Sequence, residues 1–476
     1  MSVHQMSMQF GELIVDLFAG GGGATTGIKM ATGRSADHAL NHDRAALALH
    51  AAANPDTVHH EQDVWEAHPD SIGRGRPVGL LWFSPDCTHF SRAKGGKPRS
   101  TRTRSLAWVG VRWARVRKPR VMVMENVQEI RDWSPLLSDG TPDGSRKGVT
   151  FDHFVRQLKR LGYAVEHRLI SAHQYGAPTT RKRLFLIARR DGMPIVWPQP
   201  THGPNLEPYR TAAECIDWSL PCPSIFERSR PLADATLRRI ARGVQRFVID
   251  ADQPFIIPDG AACMVQTGYG ERDGQAPRTL DLEAPLGTIV AGGQKHGLVT
   301  AFLSRFFGNS IGRSVDEPIP TTTAGGGGKS ALVAACIAKH YGGMTGHGVE
   351  RPLGTVTAVD HHSLVTAFLT AYYGNAYERG VNEPTGTITC TDRFGLVVVE
   401  GAEYKITDIG MRMLQPRELF TAQGFPADYP IDIVVDGKRI TKRDQVRLVG
   451  NSVSPPPAAA LVGANFTDTS ANEAAA

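Results

Sequence analysis

Between residues 12 and 190 short apolar β-type runs alternate with stretches of helical character, and this alternation constrains the fold more than any other feature of the chain. "ELIVDLFAGG", "LLWFSPDC", "RVMVMENV" and "RLFLIAR" read as buried strands. "SLAWVGVRWARVR", ahead of "KPRVMVMENV", reads as a crossover helix with Pro119 near its end. The expectation is a doubly wound α/β sheet with mostly parallel strands. Such a sheet places its sites at the carboxyl ends of the strands. Asp16, Cys87 and Glu125 all fall at such ends.

At 476 residues the chain exceeds the size at which a single core usually keeps growing, so two domains are expected. Hydrophobic residues make up 41% and charged residues 21%, ordinary globular usage. No apolar run approaches the roughly 18 residues of a membrane span. The amino terminus has no basic segment ahead of its apolar stretch and no small-residue cleavage pattern. A soluble, cytoplasmic protein without a membrane partner follows as the expectation. The six cysteines, at 87, 215, 222, 263, 336 and 390, form no CxxC pair, so neither a zinc site nor a disulfide framework is indicated. A net charge of +6 permits a polyanionic partner without demanding one.

From about 191 the chain becomes rich in Gly, Pro and Thr, and part of it repeats. "EAPLGTIVAGGQKHGLVTAFLSRFFGN", "DEPIPTTTAGGGGKSALVAACIAKHYGG", "ERPLGTVTAVDHHSLVTAFLTAYYGN" and "NEPTGTITCTDRFGLVVVEG" align on prolines 285, 318, 352 and 384, spaced by 33, 34 and 32 residues. Such periods usually mean stacked units presenting one face to a partner, and equally suit a purely structural array. "LVTAFLSRFFG" and "LVTAFLTAYYG" fit strand or helix by pattern. The organisation read from these changes is a first domain over 1–190, a second, smaller domain over 191–403 with its repeats near 283–400, a return to the first over 404–465, and a disordered tail over 466–476.

"DLFAGGGGATTGIKMA" sets Gly20 to Gly23 between a strand and a helix, a turn that brings backbone amides close to a nucleotide-like ligand. Its spacing is not GxGxxG, and alone it is often only a tight turn. Cys87, at the end of "LLWFSPDC", would by itself more often be a small buried hydrophobe than a nucleophile. Its company changes the reading. Glu125 ends an apolar strand, where a carboxylate is costly to bury unless paired or protonated. Arg181 and Arg183, two positions apart at the start of another strand, share a face, although an RKR triplet is commonly a solvated edge. Just past Cys87, "THFSRAKGGKPRSTRTRS" carries Arg92, Lys94, Lys97, Arg99, Arg102 and Arg104 without an acidic residue, a segment suited to phosphates or simply a basic loop.

Taken together, "DLFAGGGG", "SPDCTHFS", "ENV", "YGAPTTRKR", "MRMLQPRELFTAQGFP" and "VGNSVSPPP" stand in one order, and in that order the chain resembles the DNA cytosine-C5 methyltransferases of bacterial or phage type. The resemblance covers roughly residues 12–190 and 404–463 and leaves the repeats unmatched. It implies the Rossmann-like fold of the S-adenosylmethionine-dependent methyltransferases, with residues 191 to about 400 as a target-recognition domain. Cys87 would be the thiolate that adds to carbon 6 of cytosine, making carbon 5 nucleophilic enough to take a methyl group. Glu125 would hydrogen-bond or protonate N3, and Arg183 with Arg181 would hold O2. The cytosine must be flipped out of the duplex, with Ser91, Arg92, Lys94, Lys97 and Arg99 gripping the DNA backbone. S-adenosylmethionine would lie against Asp16, Phe18, Ala19, Gly20, Gly22, Asn41, Asp63 and Asn451, without a metal. Asp63 in "EQDVWE" reads equally as a helix cap.

Three positions depart from the family's pattern. Asp86 stands where proline usually precedes the cysteine, Asn41 where an acidic ribose ligand is usual, and Thr179 where glutamine is usual. The expected partner is duplex DNA, the expected assembly a monomer, and functional pairing with a restriction endonuclease is consistent with the type. An RNA cytosine methyltransferase would use the same chemistry, and a catalytically dead binding module is the reading from another class. The long insertion favours DNA over RNA, and intact Cys87, Glu125 and Arg183 disfavour the dead module.

Overall fold

The computed structural model describes residues 11–86, 104–226, 228–249, 255–257, 260–266, 276, 278–291, 295–304, strand segments at 336–339, 362–365, 370–371, 394–395 and 397–399, and 402–467. The chain divides into two compact units. One comprises Met1–Cys215, Pro285–Gly293 and Gln415–Ala476, the other Ile216–Ala284 and Gln294–Leu414.

The first unit is built on a seven-stranded sheet. Its strands are β1 (Leu13–Leu17), β2 (His38–Asn41), β3 (Val58–Glu61), β4 (Val78–Phe83), β5 (Val121–Asn126), β6 (Ala164–Ser171) and β7 (Lys182–Arg189). The order is β3-β2-β1-β4-β5-β7-β6. The five strands β1 to β5 pair in parallel, whereas β7 runs antiparallel to both β5 and β6. The sheet is therefore doubly wound and mostly parallel. From β1 the chain first winds outward through β2 and β3, then returns to β4 on the other side of β1. That reversal leaves a crevice beyond the carboxyl ends of β1 and β4.

Both faces of the sheet are covered, which explains strands without polar alternation. Leu13, Val15 and Leu17 of β1 pack into one core with Trp113 and Phe154. Ile14 faces the other core, with Ile28 and Leu461. Helices α1 (Gly23–Thr32), α2 (Arg44–Ala53), α3 (Trp108–Val116) and α4 (Val149–Arg160) link the strands. The crossover α3 ends before Pro119, with Lys118 at a positive φ of 50°. In α4 the buried residues Phe151, Phe154 and Leu158 share one face.

Three helices return to this unit after Gln415: Pro416–Gln423, Lys442–Asn451 and Pro455–Asn465. The last packs against α1, and two glycines of α1 make the close approach feasible. A Cβ on Gly23 would stand 2.0 Å from the Val453 carbonyl oxygen, and one on Gly27 would stand 2.6 Å from Ala458 Cβ.

The second unit carries a six-stranded sheet of antiparallel pairs, whose central strands are Gly260–Gln266, His296–Ser304 and Ala402–Met413. Ile240, Val244, Val248, Cys263, Val299 and Met411 form its core. The ambiguous "LVTAFLS" of the first repeat is strand here, within His296–Ser304. Prolines 318, 352 and 384, and most of the second to fourth repeats, lie outside the described residues. No helix among the described residues is long and apolar enough to cross a membrane.

The helix contact gives a direct test of the packing. Gly27→Val forces a branched side chain against Ala458 and the Pro455 carbonyl. The substitution is expected to cost about 1–3 kcal/mol, read as a lowered thermal midpoint, while an exposed-face control such as Lys29→Ala leaves the midpoint nearly unchanged.

Candidate active site

The crevice is lined from β1 by the glycine-rich turn. Phe18 leaves β1 with φ 61°, a left-handed conformation that a bulky side chain adopts only when its surroundings hold it there. Gly22 follows at φ 87° and caps α1. A Cβ on Gly20 would meet nothing within 4 Å, so open space lies in front of the turn, whereas one on Gly22 would stand 2.1 Å from the Tyr429 hydroxyl. That hydroxyl donates to the Gly21 carbonyl at 2.8 Å. Burial pushes the pKa of Tyr429 up and keeps it neutral. Tyr429 stacks with Phe420 and meets Phe425 edge-on, so an aromatic cluster from the C-terminal segment fixes the turn.

Asn41 ends β2 and is committed to the same turn. Its Nδ2 donates to the Ala19 carbonyl at 2.9 Å, and its Oδ1 accepts from the Asp43 amide at 2.9 Å. Ala19 N also donates to Leu40 O at 3.0 Å. An acidic side chain at 41 would set a carboxylate against the Ala19 carbonyl, which gives the departure at this position a physical reason. Asp63 caps a turn, accepting from the Trp65 amide at 2.8 Å. Asn451 is the last residue of its helix and is exposed. This open turn with backbone amides and a carboxylate nearby fits a nucleoside-bearing donor. Among the described residues no group of three His, Cys, Asp or Glu side chains could hold a metal ion.

Asp16 lies beneath the turn, 1% exposed. Thr25 Oγ1 donates to its Oδ2 at 2.9 Å, and His50 Nε2 stands 3.9 Å from the same oxygen. Burial pushes the Asp16 carboxyl up to about 7, against the lowering effect of Thr25. Burial, aided by the charge of His59, pushes His50 down to about 3.

The other wall comes from β4, β5 and β7. β4 ends at Phe83, Asn126 Nδ2 donates to the Pro85 carbonyl at 2.9 Å, and Asp86 is exposed. Cys87, Ser91, Arg92, Lys94, Lys97 and Arg99 lie outside the described residues. Glu125, one residue before the end of β5, is 7% exposed. The register pairs it with Phe185 of the antiparallel β7, which brings the start of β7 alongside. Arg183 Nε stands 3.3 Å from Glu125 Oε1 and Arg181 Nη2 stands 4.0 Å from it. Arg181 also donates from Nη1 to the carbonyls of Ile289 at 3.0 Å and Gly450 at 3.1 Å. Arg181 thus ties the first repeat and the helix Lys442–Asn451 to the start of β7. Thr179, fully buried, accepts from Arg181 N at 3.3 Å and donates to Gly287 O at 3.3 Å. Glu125 Oε1 is buried and accepts no hydrogen bond. A buried carboxyl oxygen without a hydrogen bond, beside two guanidinium groups, can exchange a proton or hydrogen bond with an incoming planar base.

The structure thus brings Glu125, Arg181 and Arg183 together, and sets Phe18, Ala19, Gly20, Gly22 and Asn41 around one turn. Sequence reasoning missed Thr25, His50, Tyr429 and Asn126. His50 sits in "LALHAAA", where a lone histidine in an alanine-rich helix gives no sign of its partners.

Residues 13–213 match the family model of the C-5 cytosine-specific DNA methylases. The chain is 27% identical over 224 residues to Type II methyltransferase M.AquIA of Picosynechococcus sp., covering 43% of this chain and 87% of that protein. It is 26% identical to Type II methyltransferase M.AgeI of Thalassovita gelatinovora, covering 42% of this chain and 49% of that protein. It is 28% identical to Type II methyltransferase M1.HphI of Haemophilus parahaemolyticus, covering 42% of this chain and 51% of that protein. The matched segment thus spans roughly half the length of the latter two.

Asp16 and His50 shape the acid response of the fold. The folded state holds a proton on Asp16 that the unfolded chain releases above the ordinary value of 3.8, so this stabilisation is full in acid and lost as pH rises to about 7. The folded state refuses a proton that His50 takes up when unfolded below 6.5, so this stabilisation is full above 6.5 and lost as pH falls toward about 3. The two slopes oppose each other. Asp16→Asn removes only the first, so its thermal midpoint is expected to fall more steeply than that of the parent as the buffer is taken from pH 6.5 to about 4.

Proposed function

From the premise that this chain belongs to the C-5 cytosine-specific DNA methylases, we propose that it methylates carbon 5 of a cytosine turned out of duplex DNA, through a transient bond from Cys87 to carbon 6. The observation that carries this reading is the buried Glu125 carboxyl, its Oε1 without a hydrogen bond and 3.3 Å from Arg183.

The chemistry follows from what carbon 5 lacks. An aromatic pyrimidine carbon is a weak nucleophile, and addition of the Cys87 thiolate to carbon 6 makes carbon 5 enamine-like. As the sulfur adds, electron density moves toward N3, where Glu125 delivers a proton or a hydrogen bond. Arg183 holds O2 and stabilises the charge that develops there, with Arg181 as its rigid neighbour. β4 and β5 are adjacent and parallel, and Asn126 holds the Pro85 carbonyl just beyond the end of β4. S-adenosylmethionine supplies, when bound, an electrophilic methyl group on a positively charged sulfur. Phe18, Ala19, Gly20 and Gly22 would hold it, with Asp63 and Asn451 as polar contacts. Asn41 would act chiefly by shaping the turn, since both its polar groups already serve the backbone. Once the methyl group is in place, a base removes the carbon 5 proton and Cys87 departs.

Ser91, Arg92, Lys94, Lys97 and Arg99 supply the grip on the backbone that base flipping requires. The second unit reads the sequence, and a monomer working beside a restriction endonuclease completes the proposal.

Incubation with a tritium-labelled methyl donor and either duplex DNA or transfer RNA separates the DNA reading from the RNA one, and incorporation into transfer RNA alone would overturn it. In the same assay Glu125→Gln is expected to lower methyl transfer by about 100-fold or more while donor binding is kept. Full activity of that variant would remove Glu125 from the mechanism.

A further inference from the structure

Beneath the glycine-rich turn four side chains from four elements form one hydrogen-bonded line. Asp16 Oδ2 in β1 meets Thr25 Oγ1 in α1 at 2.9 Å, Thr25 Oγ1 meets His50 Nε2 in α2 at 2.9 Å, and His50 Nδ1 meets His59 Nε2 in β3 at 2.8 Å. Asp16, Thr25 and His50 are buried, while His59 is partly exposed on the edge strand of the sheet. The proposed methyl transfer routes no step through this line.

We infer that Asp16, Thr25, His50 and His59 form a reversible proton path that sets the charge beneath the turn, and through it the preference for the sulfonium donor over its neutral thioether product. The inference rests on the proposed use of S-adenosylmethionine.

With Asp16 ionised, Thr25 donates its hydroxyl proton to Asp16, His50 donates from Nε2 to Thr25, and His59 donates from Nε2 to His50 Nδ1. With Asp16 protonated, every bond reverses: Asp16 donates to Thr25, Thr25 to His50 Nε2, and His50 Nδ1 to His59 Nε2. Both arrangements fill every link from Asp16 to His59 with no movement of heavy atoms. A proton taken up by His59 Nδ1 therefore shifts one proton along each link: from His59 Nε2 to His50 Nδ1, from His50 Nε2 to Thr25, and from Thr25 to Asp16. One proton enters, none leaves, and the buried carboxylate is neutralised from the edge of the sheet.

The groups facing this line leave the exchange to Asp16. Tyr429 is held neutral by burial and donates to Gly21. Burial pushes the pKa of His59 down, against a hydrogen bond to the backbone of Thr57 and with the help of the neighbouring His60, which turns to His38 at 3.1 Å. Burial places the Asp16 carboxyl at about 7, so it changes charge in the physiological range. An ionised Asp16 behind the turn is poorly screened and attracts a sulfonium, whereas the thioether product carries no charge on sulfur. Product release is favoured accordingly.

Two measurements on the full chain test this. Nitrogen-15 NMR of the ring nitrogens, without any ligand, is expected to show His50 carrying its proton on Nε2 at high pH and on Nδ1 at low pH, with one midpoint near neutrality. A single His50 tautomer from about pH 5.5 to 8.5 would overturn the path. Calorimetric titration with S-adenosylmethionine and S-adenosylhomocysteine is then compared between the parent and Asp16→Asn, which corrects for the ligands' own amines. The preference for the donor is expected to rise about three- to tenfold with pH in the parent beyond any change in the variant. Equal slopes in the two proteins would overturn the coupling. Failure of either ligand to bind would overturn the cofactor reading and the coupling with it, and the tautomer measurement would still decide the path.

Discussion

Two neighbouring parallel strands, β1 and β4, send the chain away in opposite directions, and the whole candidate site depends on that reversal. It holds apart the helices that would otherwise fill the space above the strand ends. Into the gap β1 sends the glycine turn and β4 sends Ser84–Asp86. The two-sided burial of the sheet makes these strand ends rigid, since Leu17 and Phe83 are both fully buried and paired in register. A site that needs a carboxyl and a ligand turn at neighbouring strand ends thus inherits its geometry from topology before any side chain contributes.

The second constraint is the cost of burying charge. Glu125 is tolerable inside the protein because Arg183 and Arg181 stand beside it, and Arg181 is tolerable because two backbone carbonyls accept from it. One of those carbonyls belongs to Ile289 of the first repeat and the other to Gly450 beside Asn451. The arginine therefore joins the carboxyl to the segment proposed to meet the cofactor. Losing it would leave the Glu125 carboxylate short of a partner and the two carbonyls without their donor.

Much of this was legible in the amino-acid sequence. The apolar runs that carry Asp16 and Glu125 announced buried strands with polar ends, and the spacing of Arg181 and Arg183 put both on one face, while Cys87 lies outside the described residues. Other features were not readable. The antiparallel direction of β7 leaves no mark, because "RLFLIAR" is buried on both faces whichever way it runs. Nor could the sequence show that both polar groups of Asn41 are taken up by the backbone, at Ala19 and Asp43. The line from Asp16 to His59 joins residues from four elements, and no local pattern could connect them. "LVTAFLS" was ambiguous because an apolar run of that length suits either periodicity, and its pairing with Ala402–Met413 made it a strand.

The central claim is the covalent step, and trapping tests it most directly. Duplex DNA carrying 5-fluorocytosine at the target position would hold the protein, under the proposed mechanism, at the stage where the carbon 5 substituent should leave. With the methyl donor present, mass spectrometry of the digested complex is expected to find the oligonucleotide bound to the peptide containing Cys87, and to find none with Cys87→Ser. Methylation of ordinary DNA without any such adduct, or an adduct on a different residue, would contradict the account.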